Sequence, residues 1–217
     1  ENRTLIAEVT PFEAFALILK NYIDSQAHKE LKQSTIDLLI KNGYKPYKYQ
    51  LDAVRQALAV IENYSGVIIA DVVGLGKSVI ASLVAKNLGK RGVIVCRPGL
   101  MGDEDKKDSG WQMYKEHFQL FNWEVRSSGK LEDVLTLVRQ NKDFEVVIID
   151  EAHNFRNQDT EDYELLSDIC RNKIVILLTA TPFNNSPNDI FSLLKLFIVP
   201  GKSKITLDDN LDARFRN

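Results

Sequence analysis

The sequence runs to 217 residues, 44% hydrophobic and 27% charged, enough chain to bury one α/β core, which excludes disorder, a collagen-like repeat and a disulfide-held scaffold. With 28 Lys and Arg against 30 Asp and Glu the net charge is −2, so nucleic-acid binding by bulk positive charge is excluded and any such contact has to be local. The two cysteines, Cys96 and Cys170, lie in or beside apolar runs and read as reduced core thiols of a cytoplasmic chain.

In chain order, Thr10-Pro11-Phe12-Glu13 opens a first helix, with Thr at the N-cap, Pro at the first helical position and Glu at N3. Phe12, Phe15, Leu19, Tyr22 and Ile23 continue it at helical spacing. Ser34-Thr35-Ile36-Asp37 opens a second helix that Gly43 closes. After Pro46 a third sets Leu51, Val54, Leu58 and Ile61 on one face and stops at a breaker over 63–66. Short β-branched runs then alternate with helical segments: 67–70, 93–96, a weaker one over 123–126, 146–149 and 174–178. Runs this apolar are strands covered on both faces, and strands separated by helices make right-handed crossovers. The predicted class is α/β, a doubly wound parallel sheet with helices on both faces, preceded by N-terminal helices. The charged, turn-rich stretch 101–110 reads as an exposed loop. No apolar run approaches the ~18 residues that a bilayer span needs. Glu1 follows no initiator Met and precedes no secretory leader pattern, so the start reads as internal to a longer chain.

Three segments at predicted strand ends carry chemistry. The first is Ala70-Asp71-Val72-Val73-Gly74-Leu75-Gly76-Lys77-Ser78, between a strand and a helix over 79–88. Gly74 and Gly76 let the backbone curl its N–H groups around a phosphate at the positive end of the helix, within a loop running from Val73 through Leu75 to Val79. Lys77 would reach the β/γ-phosphates and the Ser78 hydroxyl would hold Mg²⁺. Asp71 departs from the phosphate-loop pattern, which has Gly there, and an ordinary strand-to-helix turn is the alternative. The second is Asp150-Glu151-Ala152-His153, which the strand over 146–149 delivers to the carboxyl edge of the sheet. Asp150 would hold the Mg²⁺ shell and Glu151 would polarise the water attacking a γ-phosphate; acidic capping of the next helix is the alternative. The third, Leu178-Thr179-Ala180-Thr181-Pro182-Phe183-Asn184-Asn185, places hydroxyls where a γ-phosphate relay would sit, although loop hydroxyls that only satisfy backbone groups would look the same.

In order and spacing these segments resemble the first RecA-like lobe of superfamily 2 helicase-type ATPases, within the SWI/SNF-like group, over roughly 44–197. The resemblance implies that Tyr47 and Gln50 read adenine, since an amide pairs with its N6/N7 edge. It implies that Arg97 and Pro98, in Val95-Cys96-Arg97-Pro98, track one nucleic-acid strand, and that His153, Thr179 and Thr181 couple the two ligands. The Val-Val after Asp71 and the Thr-Ala-Thr spelling fit bacterial or phage members better than eukaryotic remodellers. On this reading 1–45 is an N-terminal helical segment, 46–200 the ATP-binding lobe and 201–217 a tail leading to a second lobe that carries the arginine fingers. The expected function is that of an ATP-binding lobe in a nucleic-acid-dependent, helicase-like ATPase and translocase, with DNA favoured over RNA, ATP and Mg²⁺ as cofactors and duplex DNA as partner, near-inactive without the second lobe. A nucleotide-gated protein-interaction module without nucleic acid is the alternative, and the DEAH and LTATP spellings argue against a transporter or partitioning ATPase.

Overall fold

Four apolar strands and a more polar edge strand set the architecture. A computed structural model describes residues 31–70, 76–180 and 187–197. The helix expected from Thr10, and Asp71, Val72, Val73, Gly74, Leu75 and Thr181 of the predicted site, lie outside these residues. Two helices, α1 (Gln33–Lys41) and α2 (Lys48–Tyr64), precede β1 (Gly66–Ala70). After it come α3 (Lys77–Leu88), β2 (Gly92–Cys96), the short α4 (Pro98–Met101) and α5 (Gly110–His117). Then follow β3 (Glu124–Ser127), α6 (Leu131–Gln140), β4 (Val146–Ile149), a 3-10 turn over Ala152–Phe155, α7 (Glu161–Cys170), β5 (Ile174–Thr179) and α8 (Pro187–Leu194).

All four strand pairings are parallel, in the order β1-β5-β4-β2-β3, with Ala70 opposite Thr179, Ile149 opposite Leu177 and Val95 opposite Ile149. Alternation along each strand divides the apolar side chains between two cores. On one face Ile94, Ile148, Ile176 and Leu178 meet Leu39 of α1, Val54 and Ile61 of α2, Leu83 of α3 and Trp111 of α5. On the other Val95, Val147, Ile149 and Leu177 meet Val134 of α6, Leu166 and Ile169 of α7 and Leu193 of α8. Each such side chain, fully buried, contributes about 1.5–3 kcal/mol. The doubly wound sheet is therefore observed, and α1 packs on the lobe itself.

Local boundaries move for physical reasons. The second predicted helix begins at Gln33 with Lys32 at its N-cap, so Ser34 lies inside its first turn. The helix expected from Val79 begins two residues earlier, at Lys77, because Gly76 takes the left-handed N-cap position at φ 85°. The segment 101–110 is exposed over 102–109, as expected, but its ends belong to α4 and α5 and its neck is closed. Gly102 (φ 84°) and Gly110 (φ 55°) approach so tightly that a Cβ on Gly102 would lie 2.0 Å from the carbonyl oxygen of Ser109. Asp103 Oδ1 accepts the N–H groups of Asp105 and Lys106, both at 2.9 Å, and folds the loop tip.

Candidate functional site

The carboxyl ends of β1, β5, β4 and β2 lie side by side, so the segments that follow them share one edge. Lys77 and Ser78 occupy the first turn of α3, Thr179 ends β5, Asp150 and Glu151 follow β4, and Arg97 and Pro98 follow β2. The N-cap Gly76 has no side chain to cap α3, so among the described residues its first N–H groups are left directed at the edge. Val79 is buried beneath this turn, and the Ser82 hydroxyl donates to the carbonyl of Ser78 at 2.7 Å.

Gln50 is 7% exposed, so it is not a surface helix residue. It lies four residues before Val54 on the buried side of α2, and its amide reaches Gly76, where an added Cβ would stand 2.5 Å from Nε2. The predicted adenine-reading amide is thus placed against the end of the phosphate loop. Tyr47 remains half exposed and stacks on Tyr49, ring centroids 5.7 Å apart.

Asp150 is tied at both oxygens: Oδ2 accepts the indole N–H of Trp111 at 2.8 Å and Oδ1 accepts the backbone N–H of Glu151 at 2.9 Å. Burial raises its carboxyl above the usual carboxylate range; the two hydrogen bonds and the Lys77 charge pull it down, and the charge of Glu151 pushes it up. Lys77 and Asp150 therefore sense one another across the edge. Burial also lifts the Cys96 thiol, beside Asp150, to about 12, so it stays a neutral thiol.

Glu151 adopts a left-handed backbone, φ 54° and ψ 45°, a conformation that costs a non-glycine residue about 1–2 kcal/mol. Its carboxylate lies 3.1 Å from Nδ1 of His153. The same Nδ1 lies 3.5 Å from the hydroxyl of the fully buried Thr179. The predicted coupling residues His153 and Thr179 are thus brought together at Glu151. Arg97 is exposed, and its Nη2 donates to Oδ1 of Asn154 at 2.7 Å. Pro98 begins α4, its ring at the helix start where no N–H is needed.

Two participants escaped sequence reading. Trp111 sits among polar residues after an exposed loop, and only an indole in the first turn of a helix marked it. Asn154 was hidden immediately after the DEAH segment, one residue past His153. The buried contact of Gln50 was traceable, because the Val54, Ala57, Ile61 face of α2 extends back to it. A concavity of about 710 Å³ lies away from all of these, among Ser65, Lys90, Phe144, Arg171 and Phe197 at the opposite edge of the sheet. Among the described residues no group of three His, Cys, Asp or Glu side chains could hold a metal ion, and no helix is long and apolar enough to cross a membrane.

Residues 104–206 match the SNF2-related domain family. The chain is 32% identical over 179 residues to the uncharacterized ATP-dependent helicase YqhH of Bacillus subtilis, covering 73% of this chain and 30% of that protein. It is 26% identical to the probable ATP-dependent DNA helicase CHR12 of Arabidopsis thaliana, covering 82% of this chain and 18% of the relative. The SWI2/SNF2 ATPase core of Sulfolobus solfataricus, solved with double-stranded DNA, superimposes with a TM-score of 0.54 at 18% identity, over 70% of this chain and 36% of that one. The helicase domain of Pyrococcus furiosus Hef gives 0.50 at 18% identity, over 73% and 36%. The chain thus spans less than a third of the curated relatives just named and shares the fold of the helicase cores.

Proposed function

Because this chain is the first ATPase lobe of a SWI2/SNF2 helicase-like protein, carrying its SNF2-related domain, we propose that it binds ATP and powers a DNA-dependent translocase once a second lobe closes on it. The observation that carries this reading is the meeting of Lys77, Asp150, Glu151 and Thr179 with Arg97 along one sheet edge. Gln50, and Tyr47 beside it, hold the adenine; the N–H groups at the start of α3, with Gly74 and Gly76, cradle the phosphates; Lys77 faces the β/γ-phosphate charge. Glu151 orients the attacking water and takes up its proton. His153 and Thr179 tie that carboxylate to the β5 end and, with Thr181, couple it to the nucleic acid, whose backbone Arg97 and Pro98 meet.

The donor set fits Mg²⁺: a hydroxyl on Ser78 and one carboxylate on Asp150 are hard oxygen ligands, and this ion is held by one or two carboxylates plus substrate phosphates, with no larger protein cage. Bound there, Mg²⁺ would neutralise charge on the β/γ-phosphates. The residues' own part is to aim those oxygens, which the two hydrogen bonds to Asp150 do. We place the lobe at 46–200, between a helical segment over 1–45 and a tail over 201–217. Two buried neutral thiols suit a reducing cytoplasm.

The test uses the full-length protein. ATP hydrolysis should rise with duplex DNA, and Lys77→Ala or Glu151→Gln should abolish it. Turnover that ignores DNA and survives both substitutions would refute the reading. Nucleotide binding with no duplex response would favour a nucleotide-gated protein-interaction module.

A further inference from the structure

Asn154 has no role in the reading above, yet it joins two residues that do. Its side-chain Nδ2 donates to the backbone carbonyl of Glu151 at 2.7 Å, and its own backbone N–H donates to the same oxygen at 3.1 Å. Its Oδ1 accepts from Arg97 at 2.7 Å. The amide is therefore clamped, one end on an exposed cation and the other on the left-handed residue that carries the water-orienting carboxylate. No carboxylate pairs with Arg97 among the described residues, so an amide oxygen is what holds this guanidinium. Glu151 keeps its unfavourable backbone because three things tie it: its N–H to Asp150, its carbonyl to Asn154 and its carboxylate to His153. Of these ties the one through Asn154 leads to the exposed Arg97.

A phosphate outcompetes a neutral amide for a guanidinium, because a charge-assisted, bidentate contact is the stronger one. Once Arg97 turns to a phosphate, Asn154 loses the anchor that fixes its side-chain rotamer, and the clamp on Glu151 slackens. We propose that Asn154 is a positioning residue that holds Glu151 in its resting, His153-bound orientation until a nucleic-acid phosphate draws Arg97 away. The proposal rests on the translocase reading. It supplies a two-state element that each ligand biases, which coupling between two sites requires.

The experiment compares full-length wild type, Asn154→Ala and Asn154→Asp, reading ATP turnover with and without a 30-base-pair duplex and the duplex Kd by fluorescence anisotropy at one ionic strength. Freed of the clamp, Asn154→Ala should hydrolyse ATP without DNA about fivefold faster than wild type, so that the duplex stimulates it correspondingly less, and its duplex Kd should fall below the wild-type value because the phosphate no longer competes with Asn154 for Arg97. Asn154→Asp, which holds Arg97 as an ion pair but cannot donate to Glu151, should show the same DNA-free gain with weakened duplex binding. A merely structural residue would lose activity when replaced, not gain it. If wild type responds to duplex and Asn154→Ala shows no DNA-free gain, the positioning role is overturned and the translocase reading stands. If wild type itself ignores duplex, that reading falls and the proposal falls with it.

Discussion

At the scale of single residues, Asp150 shows how a tertiary partner sets a functional group. Its folded-state carboxyl is raised, so ionisation is penalised on folding; its contribution to stability is full below the ordinary carboxylate value and is lost as pH rises through the raised one. The Trp111 indole opposes that rise, and Trp111→Phe removes the donor while keeping an aromatic ring. The acid limb of the full-length protein's pH–rate profile should then move upward by about one pH unit, the size of one hydrogen bond to a charged group. An unmoved limb would mean that Asp150 does not govern it. Gly76 offers a second handle. Gly76→Ala should cost about 1–2 kcal/mol in a urea-unfolding comparison, from its φ of 85°, plus the displacement of Gln50. In a Gln50→Ala background only the backbone part should remain, so the two costs should fail to add. The position of Asp150 was legible because an apolar strand running into two acids has few other uses. Its partner was not, since Trp111 reaches it across a loop whose course no local pattern encodes.

At the scale of elements, strands were the most legible part, each within about a residue of its expected run, because β-branched runs covered on both faces have no other way to fold; only the edge strand β3, Glu-Val-Arg-Ser, lacks that signal. Helix starts were less so: α3 begins at Lys77 since a left-handed glycine serves as its cap, and α1 begins without any side-chain cap. The loop between α4 and α5 reads as mere exposed polarity in sequence, whereas its neck is built on two glycines with no room for a side chain. That neck sets where α5, and so Trp111, enters the core. Gly102→Ala should therefore open it, giving faster limited proteolysis over 103–109 and, through Trp111, the same upward shift of the acid limb as Trp111→Phe. Accelerated cleavage with an unmoved acid limb would show that α5 holds Trp111 without help from the loop.

At the scale of the molecule, the edge is, on the proposed reading, one wall of a nucleotide cleft. The purified 217-residue chain should bind Mg-ATP weakly and hydrolyse it near background in a phosphate-release assay, because the opposite wall supplies positioning and charge stabilisation worth most of the rate. Rapid hydrolysis by this chain alone would show the site to be complete. The strand order bears on the same point. The end of β1, which leads to the proposed phosphate loop, and the end of β2, which leads to Arg97, are separated by β5 and β4, three steps of ~4.8 Å or about 14 Å. Screening in physiological salt decays over about 8 Å. Two polyanions seated at those ends would hardly feel one another's charge, so both can be held at once, and any message between them has to travel as motion through the β4 exit.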